Sequence, residues 1–129
     1  MCKALIVEDN ENFRQTLKGL LSSRFSFIVL EEAEDAEQAL EKIRSILPDL
    51  VFVDIKLPGQ NGLELTKRIK ACHPGMIIII LTSYDLPEYR DAAKAYGANH
   101  FLVKGLSTAE DILMVVESVF KNLGMIDEC

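Results

Sequence analysis

Residues 50–62 read LVFVDIKLPGQNG, a short apolar run that leads into one carboxylate and then into a turn containing Pro, Gly and Asn. A short, continuous apolar run bounded by turn residues favours a buried strand. Asp54 is therefore predicted to stand at the end of a strand, where the chain turns. A single acid at such a position is usually a turn former or a helix cap, and a reactive carboxylate is the alternative.

Three more apolar runs end in polar side chains. Residues 4–7 are followed by Glu8 and Asp9, residues 76–81 by Thr82, and residues 101–103 by Lys104. If the strands are parallel, the groups that follow them share one edge of the sheet. The pattern predicts a polar site built from four strand ends.

Short runs rich in Val and Ile alternate with longer stretches of helical period along the chain. Such alternation is typical of βα units around a parallel sheet. We expect an α/β fold with five strands and five helices, and we place the second strand over residues 27–30. The helices are expected over residues 11–23, from a cap at Asp35 to Pro48, from a cap at Asn61 to Cys72, over residues 88–96, and from a capping box at Ser107 and Glu110.

Two of these helices have apolar faces that bear on packing. The second helix would turn Ala39, Leu40, Ile43 and Leu47 toward the sheet. The fourth helix is rich in Ala and has a thin apolar stripe, so we expect it to be the most loosely anchored.

The length of 129 residues fits one domain, which can bury roughly two-thirds of its unfolded surface without a disulfide or a metal. We expect this domain over residues 1–123 and a frayed tail over residues 124–129. Cys2, Cys72 and Cys129 are an odd number without C-x-x-C spacing, which favours reduced thiols.

Charge and hydropathy exclude several kinds of partner. The formal net charge of −6 disfavours direct binding to nucleic acid. The longest aliphatic run, residues 76–81, is far too short to span a bilayer, and the start of the chain has no secretory pattern. We expect a cytoplasmic protein that binds neither membrane nor nucleic acid through this domain.

The predicted strand ends carry the groups that one reaction needs. Glu8, Asp9 and Asp54 would place three carboxylates close together, which a hard divalent cation such as Mg²⁺ compensates. Lys104 is a compact positive charge and Thr82 a hydroxyl donor, and both suit a phosphoryl group. Asp54 would be the group that accepts it.

Each residue also has a simpler interpretation. Glu8 and Asp9 could cap the first helix, Thr82 could cap a loop, and Lys104 could be a solvated surface lysine. The conjunction at four strand ends favours the functional interpretation.

Five spaced motifs contain these positions: Val7-Glu8-Asp9, Asp54 with Leu57-Pro58-Gly59-x-x-Gly62, Leu81-Thr82-Ser83, Tyr96-Gly97-Ala98, and Phe101-Leu102-Val103-Lys104. In these motifs the chain resembles the receiver domain of bacterial two-component response regulators, over about residues 3–122. The resemblance implies a flavodoxin-like fold with strand order 2-1-3-4-5 and helices on both faces of the sheet. It also implies a phosphoacceptor signalling domain, which is not a conventional enzyme and catalyses only its own phosphorylation and dephosphorylation.

By that resemblance, Asp54 takes a phosphoryl group from a sensor histidine kinase or a phosphotransfer protein. Asp9 and Asp54 bind Mg²⁺ directly, Glu8 helps through water, and the backbone carbonyl of Lys56 completes the metal site.

The resemblance also implies a switch. Lys104 pairs with the phosphoryl group, Thr82 swings toward it, and Phe101, at the position of the family's switch aromatic, rotates into the vacated space. The surface of the fourth helix, fifth strand and fifth helix then changes. A homodimer through this face is plausible in the family.

Three positions bear on how this chain differs within the family. Gly105 follows Lys104 where the family usually has proline, and Lys104-Gly105-x-Ser107 resembles receivers attached to helix-turn-helix outputs of the LuxR-like class. The chain is therefore expected to be a stand-alone receiver or the receiver part of a DNA-binding regulator. Lys56 and Tyr84 stand two residues past Asp54 and Thr82, where they are expected to set the lifetime of the phosphate.

Three alternatives remain open. An aspartyl-phosphate hydrolase would need a second acid two residues after its nucleophile, where Lys56 stands. A flavin-binding electron carrier would need a first loop that cradles phosphate, which Glu8 and Asp9 would repel. The third is a pseudo-receiver that is not phosphorylated and acts as a protein-interaction module.

Overall fold

The computed structural model describes residues 2–126. Its elements are β1 (Cys2–Val7), α1 (Glu11–Arg24), β2 (Ile28–Ala33), α2 (Ala36–Ile46), β3 (Leu50–Val53), α3 (Gly62–Cys72), β4 (Ile77–Thr82), α4 (Pro87–Ala95), β5 (His100–Val103) and α5 (Ala109–Asn122). The strands form one parallel sheet in the order β2-β1-β3-β4-β5. The predicted α/β class, strand order and number of elements are confirmed.

The sheet is covered by helices on both faces. Alternate strand residues point to opposite faces, as the pleat requires. In β3, Leu50 and Phe52 pack with α1 and α5, whereas Val51 and Val53 pack with α2, α3 and α4. Both apolar layers are continuous, which explains why β3 is apolar at every position.

Three local predictions were wrong in position. The second strand extends to Ala33, because its edge position lets the charged side chains of Glu31 and Glu32 face outward to cations. Leu47 is 60% exposed, because it leaves α2 in the left-handed conformation with φ 46° instead of continuing the apolar face. The capping box of α5 uses Thr108 and Asp111, one residue later than expected.

The end of the described chain packs against the domain. The Met125 N–H donates to the Phe120 carbonyl, and both Met125 and Ile126 contact the apolar layer beneath α1 and α5. Residues 127–129 of the expected frayed tail lie outside the described residues, so the boundary after residue 123 stays a prediction.

Two cysteines are described, and both are free thiols. Cys2 is buried, and burial raises the pKa of its thiol to about 12. Cys72 is exposed, whereas Cys129 lies outside the described residues. Within residues 2–126, none of the helices is both long and apolar enough to cross a bilayer.

Candidate functional site

The four polar strand ends lie along one edge of the sheet. The register pairs Val7 with Val53 and Thr82 with Val103, so β1 ends level with β3 and β4 ends level with β5. Between these pairs, β4 extends two residues beyond the end of β3. The Asp54 N–H still donates to the Val7 carbonyl at 3.1 Å, which holds the start of the following turn against β1. The parallel order therefore brings residues distant in the sequence to one place.

Three carboxylates meet at the ends of the two central strands. Glu8, Asp9 and Asp54 each place an oxygen within 4.8 Å of the others. Glu8 and Asp54 are 3% and 7% exposed, and Asp9 is exposed. Among the described residues, the buried Asp54 Oδ1 has no hydrogen-bond partner. A carboxylate oxygen left without a partner, beside two other carboxylates, fits a hard divalent cation.

Lys104 joins the two buried carboxylates. Its Nζ donates to Glu8 Oε1 and, at 3.1 Å, to Asp54 Oδ2. Burial alone would lower the pKa of Lys104, but the two carboxylates outweigh burial and raise it. For Glu8, burial dominates and raises the pKa despite the hydrogen bond from Lys104. Lys104 is thus a partly buried ammonium and not a solvated surface lysine.

Thr82 ends β4 with its side chain fully buried. Its Oγ1 accepts a hydrogen bond from the Tyr84 N–H at 3.4 Å, and its carbonyl accepts from the Lys104 N–H at 2.8 Å. The hydroxyl therefore stabilises the loop after β4 in this conformation. Nothing in that bond prevents the hydroxyl from donating to a different acceptor after a rotation.

Phe101, the expected switch aromatic, is half-buried on β5 and packs against the layer formed with α2, α3 and α4. The Arg90 guanidinium of α4 lies 4.8 Å from the centre of its ring, and Arg90 Nε donates to Asp85 Oδ1 at 2.7 Å. A cation over the ring links β5 to α4 and to the loop that precedes α4.

Lys56 and Tyr84 lie beside each other next to the carboxylates. The Lys56 ammonium is 5.7 Å from the centre of the Tyr84 ring, which stacks edge-on against Tyr89. With Ile55 and Asn61 these side chains line a groove of about 210 Å³. The Lys56 side chain is exposed, and that the pair controls access to Asp54 stays a prediction.

The turn after Lys104 has an unusual backbone. Gly105 has φ 87°, a conformation that residues with a side chain rarely adopt. Ser107 Oγ accepts a hydrogen bond from the Val103 N–H at 3.2 Å, which closes the turn. Ser107 thus stabilises the Lys104 turn and does not cap α5.

The structure brings to the site three residues for which the sequence predicted no role in it. Phe13 lies under the Lys104 ammonium, with the ring centre 4.3 Å away. A side chain at Gly62 would have its Cβ 2.0 Å from the Asp54 carbonyl oxygen. Arg14 is buried and donates to the Glu8 carbonyl. Arg14 stands at i, i+3 and i+7 with Leu17 and Leu21, so a cation within an apolar stripe was the available signal.

Comparison with known proteins identifies a family over most of the chain. The family model described as response regulator receiver domain matches residues 4–117. The transcriptional regulatory protein LnrK of Bacillus subtilis (strain 168) is 33% identical over 119 residues, which are 92% of this chain and 54% of that protein. The chain spans about half the length of the curated relatives it matches.

Solved structures have the same fold over nearly the whole chain. A CheY-like response regulator receiver domain protein from Methanospirillum hungatei JF-1 is 27% identical with a TM-score of 0.88, over 96% of this chain and 97% of that one. A LuxR-family two-component response regulator from Aurantimonas sp. SI85-9A1 is 26% identical with a TM-score of 0.87, over 95% of this chain and 86% of that one.

Proposed function

The chain belongs to the family of response regulator receiver domains, and we propose that its Asp54 carboxylate accepts a phosphoryl group from a sensor histidine kinase or a phosphotransfer protein. An Asp54 oxygen attacks phosphorus, the phosphorus–nitrogen bond of a phosphohistidine breaks, and the imidazole leaves with the electron pair and takes up a proton. The product is an acyl phosphate on Asp54.

The state of the Asp54 carboxylate is the observation that carries this proposal. One oxygen is bonded to Lys104, and the other is buried without a partner among the described residues. Phosphoryl transfer needs a positioned nucleophile and nearby positive charge more than it needs covalent chemistry from the protein. Lys104 supplies one positive charge and would pair with the transferred phosphoryl group.

Asp9 and Asp54 would bind Mg²⁺ directly, Glu8 would help through water, and the Lys56 backbone carbonyl would complete the site. A bound Mg²⁺ would neutralise the carboxylates and the charge on the transferred phosphoryl oxygens. The three carboxylates and the partnerless oxygen fit that role.

Phosphorylation would be read out through α4, β5 and α5. Thr82 would exchange its bond with the Tyr84 N–H for a bond to the phosphoryl group, and Phe101 would rotate into the vacated space. Rotation of Phe101 would separate its ring from Arg90 and so alter how β5 holds α4. Lys56 and Tyr84, which contact each other two residues past Asp54 and Thr82, would set how fast water reaches the acyl phosphate.

We place this domain in a cytoplasmic signalling protein that acts through partners and not as a conventional enzyme. Relatives named as transcriptional regulators favour a receiver whose output is a DNA-binding domain, and a stand-alone receiver is the other form. Homodimerisation through the α4, β5 and α5 face is a further proposal for the phosphorylated state.

Intact mass after incubation with Mg²⁺ and a small acyl phosphate tests the proposal. We expect one phosphoryl addition in the native chain, none in Asp54→Asn, and none in the presence of a chelator. Asp91→Asn, which changes an exposed acid of α4 in the same way, should be phosphorylated like the native chain. A native chain that binds Mg²⁺ but gains no mass would contradict phosphorylation and favour the pseudo-receiver.

A further inference from the structure

Arg14 is a buried cation that the proposed reaction does not use. It lies in the second turn of α1, and its side chain is 7% exposed. Its Nη1 donates to the Glu8 carbonyl at 2.8 Å, and its Nε donates to Glu32 Oε1 at 2.8 Å. Burying a guanidinium is costly unless its donors are paired, and two donors of Arg14 are paired here. Solubility does not require a buried cation, so the arrangement indicates another role for Arg14.

The bonds of Arg14 lie on both sides of Asp9. Its backbone N–H donates to the Asn10 carbonyl at 3.0 Å, while its side chain holds the Glu8 carbonyl. The backbone carbonyls of Glu8 and Asn10, the residues on either side of Asp9, thus both accept hydrogen bonds from Arg14. Any residue at position 14 supplies the backbone bond, but only the side chain can hold the Glu8 carbonyl.

Acidic residues around β2 keep the guanidinium in this orientation. Glu32 also accepts from Gln15 at 2.6 Å and from Lys18 at 3.0 Å, and Glu34 lies 3.6 Å from Arg14 Nη2. The hydrogen bond from Arg14 is the main cause that lowers the pKa of Glu32. A planar guanidinium can serve a carboxylate and a carbonyl at the same time, which an ammonium cannot do with the same geometry.

We propose that Arg14 is a positioning residue for the magnesium site, acting through the Glu8 carbonyl to fix the loop that carries Glu8 and Asp9. This inference rests on the proposed function, because it assumes that these carboxylates hold Mg²⁺. Residues that orient metal ligands without touching the metal typically contribute about 10-fold to 100-fold to metal affinity.

Electrostatics alone predicts the opposite change in Mg²⁺ affinity when Arg14 is replaced. Removing the positive charge of Arg14 leaves Glu32 and Glu34 less compensated, which attracts Mg²⁺ more strongly. Lys18→Met provides the matched control, because within residues 2–126 Lys18 pairs with the same Glu32 carboxylate but does not hydrogen-bond the Glu8 carbonyl. The two substitutions remove the same charge, and only Arg14→Met removes the bond to the loop.

Titration of the full chain with Mg²⁺, followed by the amide NMR signals of residues 8–10 and 54–56, measures this effect without using phosphorylation. We expect Arg14→Met to weaken Mg²⁺ binding roughly tenfold or more, and Lys18→Met to leave it unchanged or slightly tighter. Phosphorylation of Arg14→Met by a small acyl phosphate should recover toward the native rate at saturating Mg²⁺, because Arg14 touches no reacting atom.

Equal Mg²⁺ affinities for Arg14→Met, Lys18→Met and the native chain would overturn the proposal for Arg14 while leaving the proposed function intact. A native chain that does not bind Mg²⁺ would remove the metal site, and the Arg14 proposal with it. If Arg14→Met does not fold, Arg14→Lys serves instead: it keeps the charge near Glu32, and we expect weaker Mg²⁺ binding from it as well. Native affinity in a folded Arg14→Lys chain would count against the proposal.

Discussion

Two strand-to-helix corners of this domain are firmly held, and a third is not. The firm corners are residues 8–10, between β1 and α1, and residues 54–61, between β3 and α3. Asn10 and Asn61 cap the helices that follow, each accepting from a backbone N–H three residues later. The third corner, residues 83–86 between β4 and α4, is exposed throughout, and Leu86 gives α4 no side-chain cap.

The helices after these corners differ in the same way. The α1 helix buries Arg14, Leu17 and Leu21, whereas α4 buries only Ala93. The firm corners carry the carboxylates, and the loose corner follows the Thr82 hydroxyl. The groups proposed to bind metal and accept phosphate thus lie in the firm corners, while the group proposed to switch lies beside α4, the helix that buries the fewest residues.

A methyl group at Gly62 should have the largest effect. Its Cβ would clash with the carbonyl group of Asp54 and with the Val53 side chain, and the Asp54 carbonyl is backbone that cannot move aside as a flexible side chain can. We expect Gly62→Ala to reduce the free energy of unfolding by about 3 kcal/mol or more, measured by urea denaturation. Gly19→Ala in α1 meets nothing within 4 Å and should instead stabilise the domain by about 0.5–1 kcal/mol. A neutral Gly62→Ala would show that the second corner is not rigid.

Truncation of Leu17 within α1 and of Leu86, the N-cap residue that precedes α4, compares how firmly the two helices are anchored. Leu17 is 3% exposed and Leu86 is 43% exposed. We expect Leu17→Ala to cost about 3 kcal/mol and Leu86→Ala to cost less than about 0.5 kcal/mol. Urea denaturation measures both, and equal losses would refute the contrast between the two helices.

A side-chain cap placed at the N-terminus of α4 should reduce the difference in stability between α4 and α1. Leu86 has the extended backbone of an N-cap, with φ −112° and ψ 140°, but no side chain that can accept a hydrogen bond. We expect Leu86→Asp to stabilise the domain by about 1 kcal/mol and to slow hydrogen exchange of the first α4 amides. Leu86→Ala is the control, and an unchanged exchange rate in Leu86→Asp would show that capping does not limit α4.

Lowering the pH should weaken the ion pair between Arg14 and Glu32 beside the first corner, with a small loss of stability. The pKa of Glu32 in the folded protein is lowered, chiefly by the hydrogen bond from Arg14. The ionised Glu32 therefore stabilises the fold fully at any pH above its unfolded-state pKa, and this stabilisation is lost as the pH falls through its folded-state pKa. Between neutral pH and about pH 3, Glu32→Gln should therefore lose less stability than the native chain. Urea midpoints at several pH values measure this, with Glu37→Gln, an exposed acid of α2, as the control. Parallel curves for the native chain and Glu32→Gln would contradict the prediction.

The strand ends were predictable from the sequence because polar residues interrupt apolar runs there. The meeting of Glu8, Asp9, Asp54 and Lys104 follows once the strands are parallel, and the structure brings these residues together. Their chemical roles stay predictions, since geometry alone does not measure phosphorylation. The thin stripe expected for the fourth helix corresponds to one buried residue, and the mobility of α4 stays a prediction.

The positions that were missed depend on contacts between distant segments. Arg14 is buried because α1 lies against β2, where Glu32 and the following Glu34 neutralise it. Its place in the apolar stripe of α1 was the one local signal, and that stripe does not identify these distant partners. The steric role of Gly62 depends on the approach of the Asp54 carbonyl, which the turn geometry sets. The one-residue error at α5 arose because Ser107 with Glu110 and Thr108 with Asp111 both have capping-box spacing.

The Lys104 ammonium pairs with both Glu8 and Asp54, and this double ion pair affects the free energy available to the proposed switch. Three carboxylates and one ammonium leave the cluster with two negative charges in excess, which one divalent cation balances. A phosphoryl group on Asp54 would not give Lys104 its first anionic partner, since the ammonium already holds two. Lys104 would exchange one partner for another, so its own contribution to moving Thr82 and Phe101 would be only the difference in free energy between the two ion pairs.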